Sequence, residues 1–382
     1  MFHRLWLLIL VYSLMLSCGS SRDDMEDLLF MDFVLVDSLV FDELQTLRIL
    51  DYSPAHDIYL MVNQGVEGRY FLINSKGVTV QEEVLSEGPN AFGMVLHRAG
   101  FVGDEIMFIS DQKVFMYDLN LRKQRDFPFH QDVRVRMIHF PLDDLNTVKV
   151  NEEYYAIANL SDRFLPEYPE DYFDTLNYFH LLHSKDGSVI KGGKLDESSI
   201  FKQGYFYHRN DKPLFFSDLE SSSISLLLPA DSVLFQFDHE LQLINKIRLE
   251  RMPPDQLSRV PMREANTQGF QANTRNIVLG GSFTRMVGTG DAFLVEYKTG
   301  LEPEKNIPGA TREEREAAMA TRKTYYYPIK DGKQIGQPIL WDKAGSLILG
   351  LGANRYLQYA DQAEIHDTEK EYQCYYIYEL KE

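Results

Sequence analysis

Cysteine is almost absent from this chain: of 382 residues only Cys18 and Cys374 carry a thiol. Two thiols cannot build a disulfide framework, so the fold must hold by burying apolar side chains. Tryptophan is equally scarce, with Trp6 and Trp341 alone. Long apolar runs are also lacking. The run from Leu5 to Leu16 is too short to cross a hydrocarbon core about 30 Å thick, which needs roughly 20 helical residues. No second stretch approaches spanning length. Positive charge is in deficit, with 39 Lys and Arg against 57 Asp and Glu and a formal net charge of −18. Such a chain is expected to be soluble and not to bind nucleic acid, whose phosphates would repel it. Charge alone would not hold it on anionic headgroups either. P-loop, Rossmann glycine, Gly-x-Ser-x-Gly and His-Glu-x-x-His patterns are all missing, and with them the chemistries that those motifs carry.

The first residues are informative. Arg4 and the free amino terminus form a short positive region, followed by the apolar run and then by small residues. That is the layout of a secretory signal. Leu14-Met15-Leu16-Ser17-Cys18 resembles the bacterial lipobox, with Met15 where the pattern prefers Leu. The resemblance implies cleavage before Cys18 and acylation of its thiol. Residues 1–17 are then a lipoprotein signal peptide, and residues 18–46 read as a tether and linker. Gly19-Ser20-Ser21 suits a flexible tether. The acidic residues Asp23, Asp24, Glu26 and Asp27 resemble the stretch that marks some Gram-negative lipoproteins for the outer leaflet, and equally suit a solvated linker. The expected location is therefore the cell envelope, reached by export, with a lipid anchor in the outer membrane and the periplasmic or surface side left open. Acylation by two or more chains would make that anchor stable. With Cys18 lipidated, Cys374 has no intramolecular partner and reads as a small buried hydrophobe.

Beyond residue 46 the chain reads as all-β. Tyr (22) and Phe (24) are abundant and favour strands. Short continuous apolar runs, such as Ile58–Val62, Ile106–Ile109, Tyr154–Ala158 and Leu347–Leu349, suit strands buried on both faces. Turn signals separate them at Ser75-Lys76-Gly77, Lys185-Asp186-Gly187 and Asp331-Gly332. A unit recurs in which a bulky residue is followed by two more and then by a polar one: FLIN (71–74), FMYD (115–118), HLLH (180–183), FQFD (235–238), FLVE (293–296) and YIYE (376–379). A turn and another strand are expected after each copy except the last. Repeats of this length predict the blades of a β-propeller, most simply six, over residues 47–382. Seven blades or a two-sheet fold remain open. Residues 308–323 predict the one clear helix, with Thr311 and Glu314 as a capping box, lying on the surface as an insertion. Residues 161–177 and 250–272 read as long loops.

Taken with the lipobox, these repeats and the segment Glu87–Gly93 are similar to the TolB-like six-bladed β-propeller lipoproteins, many of unknown function. In that family Gly-Pro loops link blades, which is the role implied for Glu87–Gly93. The resemblance supplies no catalytic residues, and no cofactor is expected.

Individual motifs offer little chemistry. His180 and His183 fall on opposite faces of a strand and cannot share an ion. The other histidines, including His56, His97, His130, His139 and His208, are scattered singly. Glu167, Glu170, Asp171 and Asp174 crowd one loop in which calcium is conceivable, but their spacing fits a solvated loop better than any calcium motif. Ser184-Lys185-Asp186-Gly187 resembles part of the sialidase Asp-box without its aromatic, and reads as a turn. Tyr325–Tyr327 and Tyr375-Tyr376 suit either a sugar platform or alternating core positions. Two functions stay open: a lipid-anchored binding or scaffolding propeller whose partner is an envelope protein or polysaccharide, and a hydrolase or lyase of lactonase or esterase type with a divalent ion in the central channel. Replacing the lipid-attachment residue, Cys18→Ala, is expected to release the protein from the membrane fraction or to block its processing. An unchanged membrane fraction would refute the lipobox reading.

Overall fold

The computed structural model describes residues 28–41, 47–63, 68–92, 98–110, 113–128, 143–158, 168–207, 212–265, 279–307, 310–360, 365 and 372–382. The expected signal peptide, residues 1–17, and Cys18 lie outside the described residues. Within them the strands assemble into six antiparallel blades, which run outward in sequence order except where Asp143–Asp144 joins blade two and Asp32–Phe41 joins blade six. Blade one is Leu47–Ser53, Ile58–Asn63, Arg69–Asn74 and Thr79–Val84. Blade two is Arg98–Val102, Glu105–Ile109, Lys113–Tyr117 and Lys123–Pro128, with Asp143–Asp144 parallel to its first strand. Blade three is Thr147–Val150, Glu153–Ala158, Phe179–His183 and Val189–Gly192. Blade four is Leu214–Asp218, Ser223–Leu227, Val233–Phe237 and Leu243–Arg248. Blade five is Ser282–Thr289, Ala292–Lys298 and Thr324–Lys330, with Lys333–Gln334 and Ile339–Trp341 sharing its outer place. Blade six is Ser346–Gly352, Arg355–Tyr359 and Gln373–Lys381, closed on the outside by Asp32–Phe41.

That last strand corrects the expected boundary. Residues 32–41 belong to the propeller and not to a tether, because Asp32–Phe41 pairs antiparallel with Gln373–Lys381 from Asp32 opposite Lys381 to Phe41 opposite Gln373. Leu29 is drawn in as well, with its N–H donating to Ile335 O at 3.1 Å.

The buried apolar side chains among the described residues form six clusters, one at each blade interface. Leu60, Leu72, Phe108 and Tyr117 join blades one and two. Met107, Met116, Ala156 and Leu182 join two and three. Ile157, Phe179, Leu226 and Phe235 join three and four. Leu234, Phe293, Val295 and Tyr327 join four and five. Leu294, Tyr326, Leu347 and Tyr356 join five and six. Leu39, Leu357, Met61 and Phe71 close the ring between six and one. Middle strands therefore bury both faces, which is why they read as continuous apolar runs. Outer strands such as Thr79–Val84 and Lys123–Pro128 alternate between exposed and half-buried residues. Blades five and six approach so closely at their axial strands that a Cβ on Gly350 would lie 2.5 Å from Gly288 backbone.

Three copies of the repeat share a detailed cause. Asn74 Oδ1 accepts from the N–H groups of Lys76 and Val78, Asp118 Oδ1 from Asn120 and Arg122, and Asp238 Oδ1 from Glu240 and Gln242. The polar residue ending each copy is thus the cap of the turn into the outer strand. Three residues later Gly77, Leu121 and Leu241 take positive φ. For the two leucines that conformation costs about 1–2 kcal/mol, offset by burial of both side chains. One copy falls out of phase. FLVE (293–296) lies in the second strand of blade five, not the third, because an insertion at 299–323 delays the third strand to Thr324–Lys330. The expected helix is there, at Arg312–Met319, with the Thr311–Glu314 capping box formed and no buried residue.

Ring closure rests on Phe33, whose ring meets Tyr326, Trp341 and Tyr356 edge-on at centroid separations of 5.7, 5.4 and 6.2 Å. Phe33→Ala should cost about 3–5 kcal/mol, read as a lowered denaturation midpoint. A loss under 1 kcal/mol would show that the N-terminal strand does not hold the ring. His180 is buried in blade three, and burial pushes its imidazole down from 6.5 to about 4. The unfolded chain therefore binds the proton first on acidification. The stability that neutral His180 maintains is complete above pH 6.5 and is lost as pH falls toward 4. In pH-resolved thermal melts, His180→Gln should flatten the loss across that window, and an unaltered slope would refute the assignment.

Candidate functional site

The two ends of the propeller differ. In an antiparallel blade, the connections from first to second and from third to fourth strand lie at one end, and the rest at the other. At the first end the chain turns tightly, as at 103–104, 151–152, 290–291, 331–332 and 353–354. At the second end the connections include 159–178, 193–213, 249–281, 299–323 and 360–372. This loop-bearing end carries the helices Tyr172–Thr175 and Arg312–Met319, the turn Ile200–Gln203, and a small sheet of Tyr205–Tyr207 with Arg259–Pro261. Its segments are fastened by partly buried cations. Arg251 donates to Ala230 O at 2.8 Å and to Asp255 O at 3.2 Å, and Arg322 to Thr299 O and Lys298 O. Burial lowers the pKa of both guanidinium groups. Carbonyl oxygens on several sides offset that desolvation.

The motifs singled out from sequence fall into structural roles. Tyr326, Tyr327 and Tyr375 are core residues, so no exposed sugar platform forms on them. Tyr326 donates from its hydroxyl to buried Glu296 at 2.8 Å and accepts the Leu347 N–H at 2.8 Å, tying blade five to blade six. His183 bonds Asp186 at 2.7 Å, and Asp186 accepts the Ser188 N–H within the turn expected at 184–187. These contacts hold the Asp186 carboxyl down at about 2. Asp174 is engaged by Lys202, at 2.5 Å, and Glu167 lies outside the described residues, as do His97, His130, His139 and His208. His56 bonds Asp104 at 2.9 Å. Glu87–Phe92 lies between blades one and two, where Asn90 O accepts the Tyr117 hydroxyl and Phe92 stacks on Phe108 at 5.6 Å. Cys374 is buried, which raises its thiol pKa.

A channel hydrolase needs carboxylates converging on the axis. Asp51 of the axial strand of blade one instead accepts the Phe101 N–H of blade two at 2.7 Å. Asp218 caps its own turn through Glu220 and Ser221. Among the described residues no group of three or more His, Cys, Asp and Glu side chains is placed to hold a metal ion.

What does converge is positive charge on an apolar wall. At the loop-bearing end, axial strands of three consecutive blades meet around a cavity of about 320 Å³. Its lining is Leu47, Arg48 and Ile49 from blade one, Arg285 from blade five, and Ile348, Tyr359 and Tyr375 from blade six. Arg285 is positioned by a bond from its Nη1 to Leu347 O at 2.9 Å. Tyr375 is fixed by its hydroxyl on Leu47 O and by the Phe41 ring at 5.7 Å. Tyr359 lies 5.6 Å from Tyr375, ring to ring, and is exposed. Among the described residues no carboxylate lies within ion-pair distance of Arg48 or Arg285. Neither arginine stands in a motif. The available signal was a lone cation inside an apolar axial strand, LRILDYS or SFTRMVGT. A second cavity of about 350 Å³ lies at the short-turn end between blades five and six, with Asp291, Lys330 and Arg355 mixing both signs of charge.

No family model matches this sequence, and no curated protein matches it. Solved structures do. A member of the DUF4221 family from Bacteroides vulgatus superposes with a TM-score of 0.63 at 9% identity, over 92% of this chain and 98% of that one. A Bacteroides fragilis protein whose name proposes export aligns at 10% identity and a TM-score of 0.47, over 94% of this chain and 97% of that one. A PQQ-bound aldose sugar dehydrogenase from Streptomyces coelicolor aligns at 11% identity and a TM-score of 0.47, over 92% and 99%. The superposition at 0.63 establishes what this chain shares with that Bacteroides protein: the six-bladed propeller fold.

Proposed function

We propose that this chain is an exported bacterial envelope lipoprotein of TolB-like kind, and that its propeller is a binding or scaffolding module with the loop-bearing end as its working face. The observation that carries this reading is the polarity of the ring. The outer strand Asp32–Phe41 runs from the short-turn end to the loop-bearing end, because it is antiparallel to Gln373–Lys381. A tether from lipidated Cys18 therefore enters at the short-turn end, and the insertions and the arginine cavity point away from the membrane. Loops on a rigid scaffold are the usual carriers of recognition. No helix among the described residues is long and apolar enough to cross a membrane, which fits anchoring by lipid. The partner expected on this face is an envelope protein or polysaccharide.

The test is capture from envelope extract with residues 24–382 as bait, beside two variants. One replaces 308–323 by a short turn, and the other changes Asp331 and Gly332 at the opposite end. A specific partner should be retained by the second variant and weakened in the first. Recovery of no specific partner across repeated conditions, or equal loss in both variants, would refute the reading.

A further inference from the structure

We propose that the axial cavity at the loop-bearing end is a binding site for the carboxylate of a small ring-bearing organic acid, of the size and chemistry of a uronic acid. This rests on the loop-bearing end being the working face. Arg48 and Arg285 supply planar forks of N–H donors, the geometry that matches a carboxylate. Arg285 is already oriented by Leu347 O, so little freedom is lost when it engages a ligand. Neither arginine has a carboxylate partner among the described residues, and both stand out in a chain of net charge −18.

The rest of the lining decides the class of ligand. Ile348 and the exposed Tyr359 ring beside Tyr375 supply the accessible apolar surface, while the Leu47 and Ile49 side chains are buried in the core between blades six and one. An inorganic phosphate would engage the arginines and leave Ile348 and the Tyr359 ring facing water. An organic acid with a ring uses both, with its anion on the guanidinium groups and its ring against Tyr359. A cavity of about 320 Å³ suits one ring and not an extended chain. Small-molecule pockets generally combine a mostly apolar lining with a few convergent polar groups.

The experiment is calorimetric titration of the full mature chain in detergent with D-galacturonate, glucose and inorganic phosphate as separate probes. Saturable binding of galacturonate is expected, weakened by added salt, with glucose and phosphate each at least about tenfold weaker. Arg48→Gln should weaken galacturonate by about tenfold or more, since a charge-assisted hydrogen bond is lost, while Arg48→Lys retains part of it. Arg48 makes no backbone-carbonyl bond among those described, so the thermal midpoint should not move. Arg285→Gln is the second variant, with its midpoint followed because it also releases Leu347. Absence of saturable galacturonate binding, phosphate binding as tightly as galacturonate, or Arg48→Gln binding like the parent would each overturn the proposal. If the loop-bearing end still captures an envelope partner in that event, the pocket assignment alone has failed.

Discussion

A four-stranded sheet has two faces, and in this protein neither can meet water. The middle strands are apolar on both sides, so every blade must be covered twice. One ring of blades satisfies that demand for all of them together, which is why the core is divided into six interfaces and not gathered in one centre. It also makes the last interface as necessary as the others. Strand Asp32–Phe41 supplies both the outer edge of blade six and, through Phe33, an aromatic plug against blade five. The ring is closed where strands from the two ends of the described residues pair.

The axis is organised by polar contacts between blades. Asp51 reaches from blade one to the Phe101 N–H of blade two, Arg98 from blade two to Ile157 O of blade three, and Arg285 from blade five to Leu347 O of blade six. At the rim, away from the axis, Asn245 of the outer strand of blade four reaches Gly332 O of blade five at 2.7 Å. The Asp51 and Arg285 bonds satisfy backbone groups in the first strands of blades two and six, and the Arg98 bond one in the second strand of blade three. The residues that hold the blades in register are therefore also those that give the channel its charge. In Arg285 the two roles coincide.

The fold was legible because its cause is periodic. The aromatic runs and the Asx-type turn caps at Asn74, Asp118 and Asp238 recur for one local reason, and a reader of the sequence meets that reason repeatedly. The phase error at FLVE arose where an insertion separates second from third strand, which a repeat search cannot distinguish from a turn. The N-terminal strand was missed for a different reason. Its partner is more than three hundred residues away, and its exposed Val34, Leu35, Val36 and Val40 give it neither alternation nor a turn signal. The cavity was illegible because Arg48, Arg285 and Tyr359 come from three blades. Their meeting is a property of ring closure and not of any one segment.

The strand that closes the ring is also the described strand nearest the proposed lipid-attachment residue, and on that proposal it has a mechanical consequence. A partner held at the loop-bearing end and an anchor at the other would pull Asp32–Phe41 along its own length. Its ladder to Gln373–Lys381 would then be loaded in shear, with the paired backbone bonds sharing the load at once instead of parting in succession from one end. The closure that makes the fold stable would also make it a strong link between a membrane and whatever the loops hold.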